Sequence, residues 1–364
     1  MSATDCQATP LQHQVTSAKS GFIIGPVYDS VFIIGAPILA VLIVIPLFGL
    51  PSSTLFDYSI KGVSRDLRQV FIGSFIAAHL VLVYFRSHAN IRIFRTHPFC
   101  FTIIPAALLI ATVMSPWIMG IAGAVAIWWD VYHSSLQTFG FGRIYDSKQK
   151  NSPIAGRNLD YWMNLMLYAG PVLAGAHFMD HVRQSLDQLL FLKAKQSLIS
   201  ELLMERAPDF LQRNQGYLTA TVLALGLPFA VFYLYSYYRL QQQGYHVSWQ
   251  KIWLYIVAGS VSIYVWGFHS FLDAFFVMNF FHALQYFAIV WFTEQQNLTR
   301  IFRLDRFSFG KSLTLVWIVV FCFLYGYWAG YHVTGVWGAG LAVTTAIMHF
   351  WYDGFIWSVR KQQV

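Results

Sequence analysis

The stretch Trp128-Trp129-Asp130-Val131-Tyr132-His133-Ser134-Ser135-Leu136-Gln137-Thr138-Phe139 decides how this chain is read. It follows Ser115-Pro116, a helix start with Ser as N-cap and Pro at the first helical position. It reads as the second half of an apolar helix running to about Gly140. On a helix Asp130, His133 and Gln137 are spaced i, i+3, i+7 and share one face, while Trp, Val, Leu and Phe cover the others. Ionisable groups inside an apolar span are costly, so they face a partner, a cavity or a metal.

Composition places this stretch in a membrane. The 364 residues are 57% hydrophobic, 18% aromatic and 11% charged. Soluble domains carry about 25% charged residues, so this chain has too few to coat a water-facing surface. The net charge of +8 comes from Lys and Arg in loops between apolar spans. No basic block interleaved with aromatics points to nucleic acid. Cys6, Cys100 and Cys322 are far apart, which excludes a zinc ribbon, a dithiol motif and c-type haem attachment.

Ten apolar segments follow in order: 31–50, 70–85, 99–114, 116–140, 161–176, 217–238, 252–266, 270–292, 312–331 and 336–357. About 20 apolar residues cross a bilayer, so eight to ten spans are expected, in an all-α polytopic membrane bundle. Residues 1–20 read as a polar tail without a cleavable signal. Residues 21–364 read as one membrane domain, with halves 21–181 and 217–358 joined by an amphipathic 182–216 segment. Residues 51–69 and 141–160 read as polar loops. With ten spans and both termini inside, sixteen Lys and Arg fall on the inner side and eight on the outer. That asymmetry predicts a bacterial-type inner membrane location with cytoplasmic termini.

Twelve histidines are present, most of them in or beside the spans. Four pairs have same-face helical spacing: Asp130/His133, His177/His181, His269/Asp273 and His349/Asp353. His282 adds Asn279 at i−3 and Gln285 at i+3. The run His133-Ser-Ser-Leu136-Gln137-Thr-Phe139 is echoed by His282-Ala-Leu284-Gln285-Tyr-Phe287, as in a weak internal repeat. Depth sorts the candidates, because one site cannot easily draw on both ends of a ~30 Å span. The inner and central group defines the expected metal site: His79, His133, His282 and His349, with Asp130 and Asp353 as carboxylate ligands or orienters. Gln137, Asn279 and Gln285 are expected behind them. Further candidate ligands are His88 and His97 in a loop, and His177, His181, His269 and Asp273 at the outer end.

Imidazole plus carboxylate suits a transition metal, iron above all as one or two ions, with zinc, manganese or copper as alternatives. The single H-x-x-x-H of His177 and His181 resembles one element of the histidine pattern of the membrane-bound desaturase and hydroxylase superfamily. No adjacent His-His follows it here. That resemblance implies iron-dependent oxidation of lipids.

The expected function is a membrane-embedded metal-dependent oxidoreductase acting on a lipid or other hydrophobic small molecule, served by an electron-donor protein. Two alternatives use the same residues. In one, a transporter employs the His/Asp pairs as proton or ion relays. In the other, a b-type haem takes two histidines as axial ligands. The plain alternative is a helical scaffold in which histidines only link helices.

Overall fold

The computed structural model describes residues 21–49, 57–60, 63–175, 178, 210 and 213–357. Among them the chain is almost wholly helical. Helix α1 (Pro26–Asp29) passes through a π turn (Ser30–Ile34) into α2 (Ala36–Gly49). A short antiparallel hairpin, β1 (Asp57–Ile60) with β2 (Val63–Asp66), leads into α3 (Leu67–Ser87). Then come α4 (Ile91–Thr96), α5 (Pro98–Met114), α6 (Pro116–Lys148) and α7 (Arg157–Ala174). The second half holds α8 (Gln215–Gln242), α9 (Trp249–Phe268), α10 (Phe271–Ile301), α11 (Gly310–Tyr327) with a π turn (Trp328–His332), and α12 (Gly335–Ile356).

All ten expected segments form helices, but fewer of them satisfy the demands of a span. Five are long and apolar enough to cross a membrane: α3, α8, α9, α10 and α11 with its π turn. The α1–α2 pair, bent by 49°, makes a sixth if counted as one span. Helix α5 is apolar but has only 17 residues. Helices α6 and α12, with 33 and 22 residues, are long enough and fall short in apolarity. Helix α6 carries Asp130 and His133, and α12 carries His349 and Asp353. Among the described residues five or six helices therefore meet both criteria, against the eight to ten spans expected.

Two segments expected as polar loops contain regular structure. Part of 51–69 is the hairpin, and Asp66 caps α3 by accepting from Arg68 N at 2.8 Å. Most of 141–160 is helical, because α6 continues to Lys148. At 1.5 Å per residue α6 is about 50 Å long, more than a bilayer core is thick.

The polar end of α6 is stabilised by a buried ion network. Arg143 Nη1 donates to Asp146 Oδ2 at 2.9 Å and to Asp160 Oδ2 at 2.7 Å. Lys251 Nζ donates to Asp146 Oδ2 at 2.7 Å, Asp160 Oδ2 at 3.2 Å and Tyr237 OH at 2.8 Å. Tyr233 and Tyr237 donate to Asp160 Oδ1 at 2.9 and 2.7 Å. Two cations balance two carboxylates, so α6, α7, α8 and α9 are tied together without a net buried charge.

Helix α10 runs through the centre, packed on α2, α3, α6, α9 and α11. Helix α12 packs on α3, α5 and α6. Gly326 lets α11 lie on the backbone of α3, where a Cβ would run into the Ser74 carbonyl. Ser270 and Asp273 cap the start of α10 reciprocally: Asp273 N donates to Ser270 Oγ at 3.2 Å, and Ser270 Oγ donates to Asp273 Oδ2 at 2.8 Å. The packed order α3–α10–α6–α12–α3 closes a ring of four helices.

Candidate metal centre

Each helix of that ring contributes one histidine to the middle. His79 comes from α3, His282 from α10, His133 from α6 and His349 from α12, and all four are buried. Ring centroids around the circuit are 4.9 Å (His79–His282), 4.8 Å (His282–His133), 5.0 Å (His133–His349) and 4.8 Å (His349–His79). Across it, His282 and His349 are 6.1 Å apart. A metal ~2.1 Å from each Nε2 would place neighbouring centroids about 4.6 Å apart at right angles and about 5.3 Å apart at the tetrahedral angle. The observed circuit falls between these values.

The hydrogen bonds point the same way. Nε2 of His79, His133, His282 and His349 is in every case buried without a hydrogen-bond partner. A buried polar atom left unpaired costs about 1–3 kcal/mol. His79 Nδ1 contacts the Ile76 carbonyl. A carbonyl only accepts, so Nδ1 carries the proton and the Nε2 lone pair faces the centre. Two overlapping donor sets result, His79/His282/His349 and His133/His349/Asp353, each with its ligand atoms within 4.8 Å of one another.

Asp353 and Asp130 part company here. Asp353 Oδ2 lies 3.4 Å from His133 Nε2 and 4.0 Å from His349 Nε2. Asp130 is buried one turn before His133, faces Asn279, and joins neither donor set. Asn279 itself donates to the Phe275 carbonyl at 3.0 Å. Gln137 Nε2 donates to the His282 carbonyl at 3.2 Å and to Gln285 Oε1 at 2.8 Å, while Gln285 Nε2 donates to the Ile33 carbonyl at 2.7 Å. Gln137 therefore holds the His282 backbone, Gln285 ties it to the Ile33 carbonyl, and neither is hydrogen-bonded to the His282 ring.

The remaining candidates lie elsewhere. His88 caps the end of α3, with Nδ1 2.8 Å from Ser87 Oγ and Nε2 3.0 Å from the Phe101 carbonyl. Both its nitrogens are engaged, and burial holds it below the usual imidazole range. His97 joins α4 to α5 with its ring against Phe101. The His269/Asp273 pair does not share a helical face, because α9 ends at Phe268 and α10 starts at Phe271. His269 instead lies edge-on to Tyr264, 4.6 Å away. His177 and His181 lie outside the described residues.

Two residues at the centre escaped the sequence reading. Tyr286 OH donates to Asp353 Oδ1 at 2.7 Å, and its ring lies 4.7 Å from His349. Trp357 Nε1 donates to the same oxygen at 2.9 Å. Each stands four residues after a site residue, Tyr286 after His282 and Trp357 after Asp353, so the signal was present in the helical spacing. Trp357 covers the Arg86 guanidinium at 3.9 Å, and Arg86 pairs with buried Glu294 at 2.7 Å. Compared with protein-family models, curated proteins and solved structures, the chain matches none.

Proposed function

We propose that the protein is a multi-pass membrane protein that holds one or two transition-metal ions between His79, His133, His282, His349 and Asp353. In this reading it is an oxidoreductase for a lipid or other hydrophobic substrate. The observation that carries it is that four buried imidazoles from four different helices, each with an Nε2 that has no hydrogen-bond partner, pack around one centre and form two overlapping donor sets. A cation in each of the two overlapping donor sets would give these nitrogens a partner.

The donor set is chemically selective. Imidazoles with one carboxylate suit iron, manganese, copper or zinc, and a thiolate-preferring site would need cysteine. Iron bound there supplies redox chemistry. The chain's own residues then have defined tasks. The imidazoles hold the ion, Asp353 balances part of its charge, and the apolar surround excludes water. Phe350, 4.9 Å from His133 and 6.3 Å from Trp129, supplies an aromatic flank suited to an acyl, isoprenoid or quinone-like chain.

The haem alternative draws less support from this geometry. Two axial imidazoles need the space around their shared axis for the macrocycle, and here the other two imidazoles fill it. The relay alternative would run from His133 through Asp353 to Tyr286, and the two overlapping donor sets favour the metal reading over it.

The test is metal content by plasma mass spectrometry on detergent-purified protein from metal-supplemented cells. The comparison is a His133→Ala/His282→Ala double variant that still purifies as a folded species. One or two equivalents of metal in the wild type, lost in the variant, are expected. A metal-free wild type purified without chelator refutes the reading. Oxygen uptake by iron-loaded protein with a reductant then tests the reaction class, and failure to consume oxygen with any donor removes the oxidoreductase assignment.

A further inference from the structure

Asp353 is held unsymmetrically. Its Oδ1 receives two hydrogen bonds, from Tyr286 OH at 2.7 Å and Trp357 Nε1 at 2.9 Å. Its Oδ2 points to the edge between His133 and His349. The two donors are themselves pinned. Tyr286 is buried, its ring against His349 and stacked on His282 at 6.3 Å. Trp357 has its other face on Arg86, which also donates to the Ile356 carbonyl at 3.2 Å. A carboxylate whose one oxygen carries two donors has the other oxygen left for a metal.

We infer that Asp353 is a monodentate metal ligand through Oδ2, and that Tyr286 is the positioning residue that aims it. The inference rests on the metal centre proposed above and goes further in two respects. It selects Asp353 over Asp130 as the anionic ligand, although both have helical same-face spacing from a histidine. It also assigns a role to a tyrosine that touches no metal itself. Because Tyr286 sits one turn beyond His282 on α10, it couples the carboxylate of α12 to a histidine of the neighbouring helix. Loss of its hydroxyl frees Oδ1 and lets the carboxylate rotate. Outer partners of metal ligands commonly carry 10–100-fold in metal affinity.

Cobalt(II) is the probe, because its visible bands report ligand type and geometry without any enzymatic turnover. Wild type, Y286F, D353N, D130N and the Y286F/D353N double variant are titrated in detergent, with zinc competition giving relative affinities. Circular dichroism confirms that each is folded, and W357F provides a second probe of Oδ1 that leaves Tyr286 in place. The expected result is a loss of about 10–100-fold in Y286F, with band shifts in the same direction as D353N. W357F shows a smaller loss, D130N keeps the wild-type bands, and the double variant is no worse than D353N alone.

A Y286F protein with wild-type affinity and bands, beside an altered D353N, overturns the inference and leaves the metal centre standing. So does a D130N protein that changes the bands while D353N does not. A double variant that loses the Y286F increment in full on top of D353N also overturns it. A wild-type protein that binds no cobalt overturns the centre and the inference together.

Discussion

Replacing Lys251 with Met tests whether the buried ion network holds α6 to its neighbours. The ammonium is almost fully buried and makes three hydrogen bonds, two of them to carboxylates. Met keeps the length of the stem and removes the charge. Arg143 then faces both Asp146 and Asp160, so the network changes from neutral to one excess negative charge. Breaking a buried pair in this way costs about 3–5 kcal/mol. At roughly 2.1 cal/mol/K per residue for a chain of this length, that lowers the melting temperature by about 4–7 °C. Thermal unfolding in detergent, followed by circular dichroism, reads the shift. The double variant K251M/D146N restores charge balance and recovers at least half of the loss, since the two sites share one network. A K251M protein within ~1 kcal/mol of wild type refutes the reasoning, because a surface pair would cost no more than that. Strict additivity in the double variant refutes it equally.

Other outcomes follow from the same geometry. Gly326→Ala drives a Cβ into the Ser74 carbonyl of α3, and overpacking of this kind costs about 1–3 kcal/mol; an unchanged melting temperature would show that α11 and α3 are not in such close contact. Asp66, held below its ordinary carboxyl pKa chiefly by the Arg68 side chain, contributes stability above the unfolded-state pKa. That contribution disappears as pH falls through the lower folded value. The difference between wild type and D66N is below about 1 kcal/mol at neutral pH and vanishes in acid, and a difference that grows in acid would contradict the assignment. A saturating metal at a thousand times its dissociation constant stabilises the folded protein by about 4 kcal/mol, so chelation lowers the melting temperature of the wild type. The His133→Ala/His282→Ala protein shows no such response.

How much of this was legible in the sequence depends on the residue. His79, His133, His282 and His349 form one group in the sequence because they lie in the inner or central part of their apolar segments, while His177, His181 and His269 lie at the outer end. Their convergence is a matter of packing, and the helical period alone carries no information on which faces meet. Asp130 and Asp353 show the limit. Each has same-face spacing from a histidine, yet only Asp353 reaches the donor set, because the rotation of α6 and α12 about their axes is set by all of their contacts. The 141–160 region misled for a different reason. Arg143, Asp146 and Asp160 look like loop residues when counted by charge, but paired with Lys251 they lie buried between helices. His269 and Asp273 misled through Ser270, whose capping role separates two helices that spacing alone would join.

The ring of four helices also bears on the order in which the protein is completed. His79 and His349 lie 270 positions apart in the chain. During synthesis the nascent protein therefore carries at most three of the four imidazoles until residue 349 is added, and α12 brings both His349 and Asp353 together. Until that helix docks, each donor set lacks a member and any ion picked up early is loosely held. If the proposed metal is bound, its capture would act as a checkpoint on assembly, because tight binding would require all four helices to be in register.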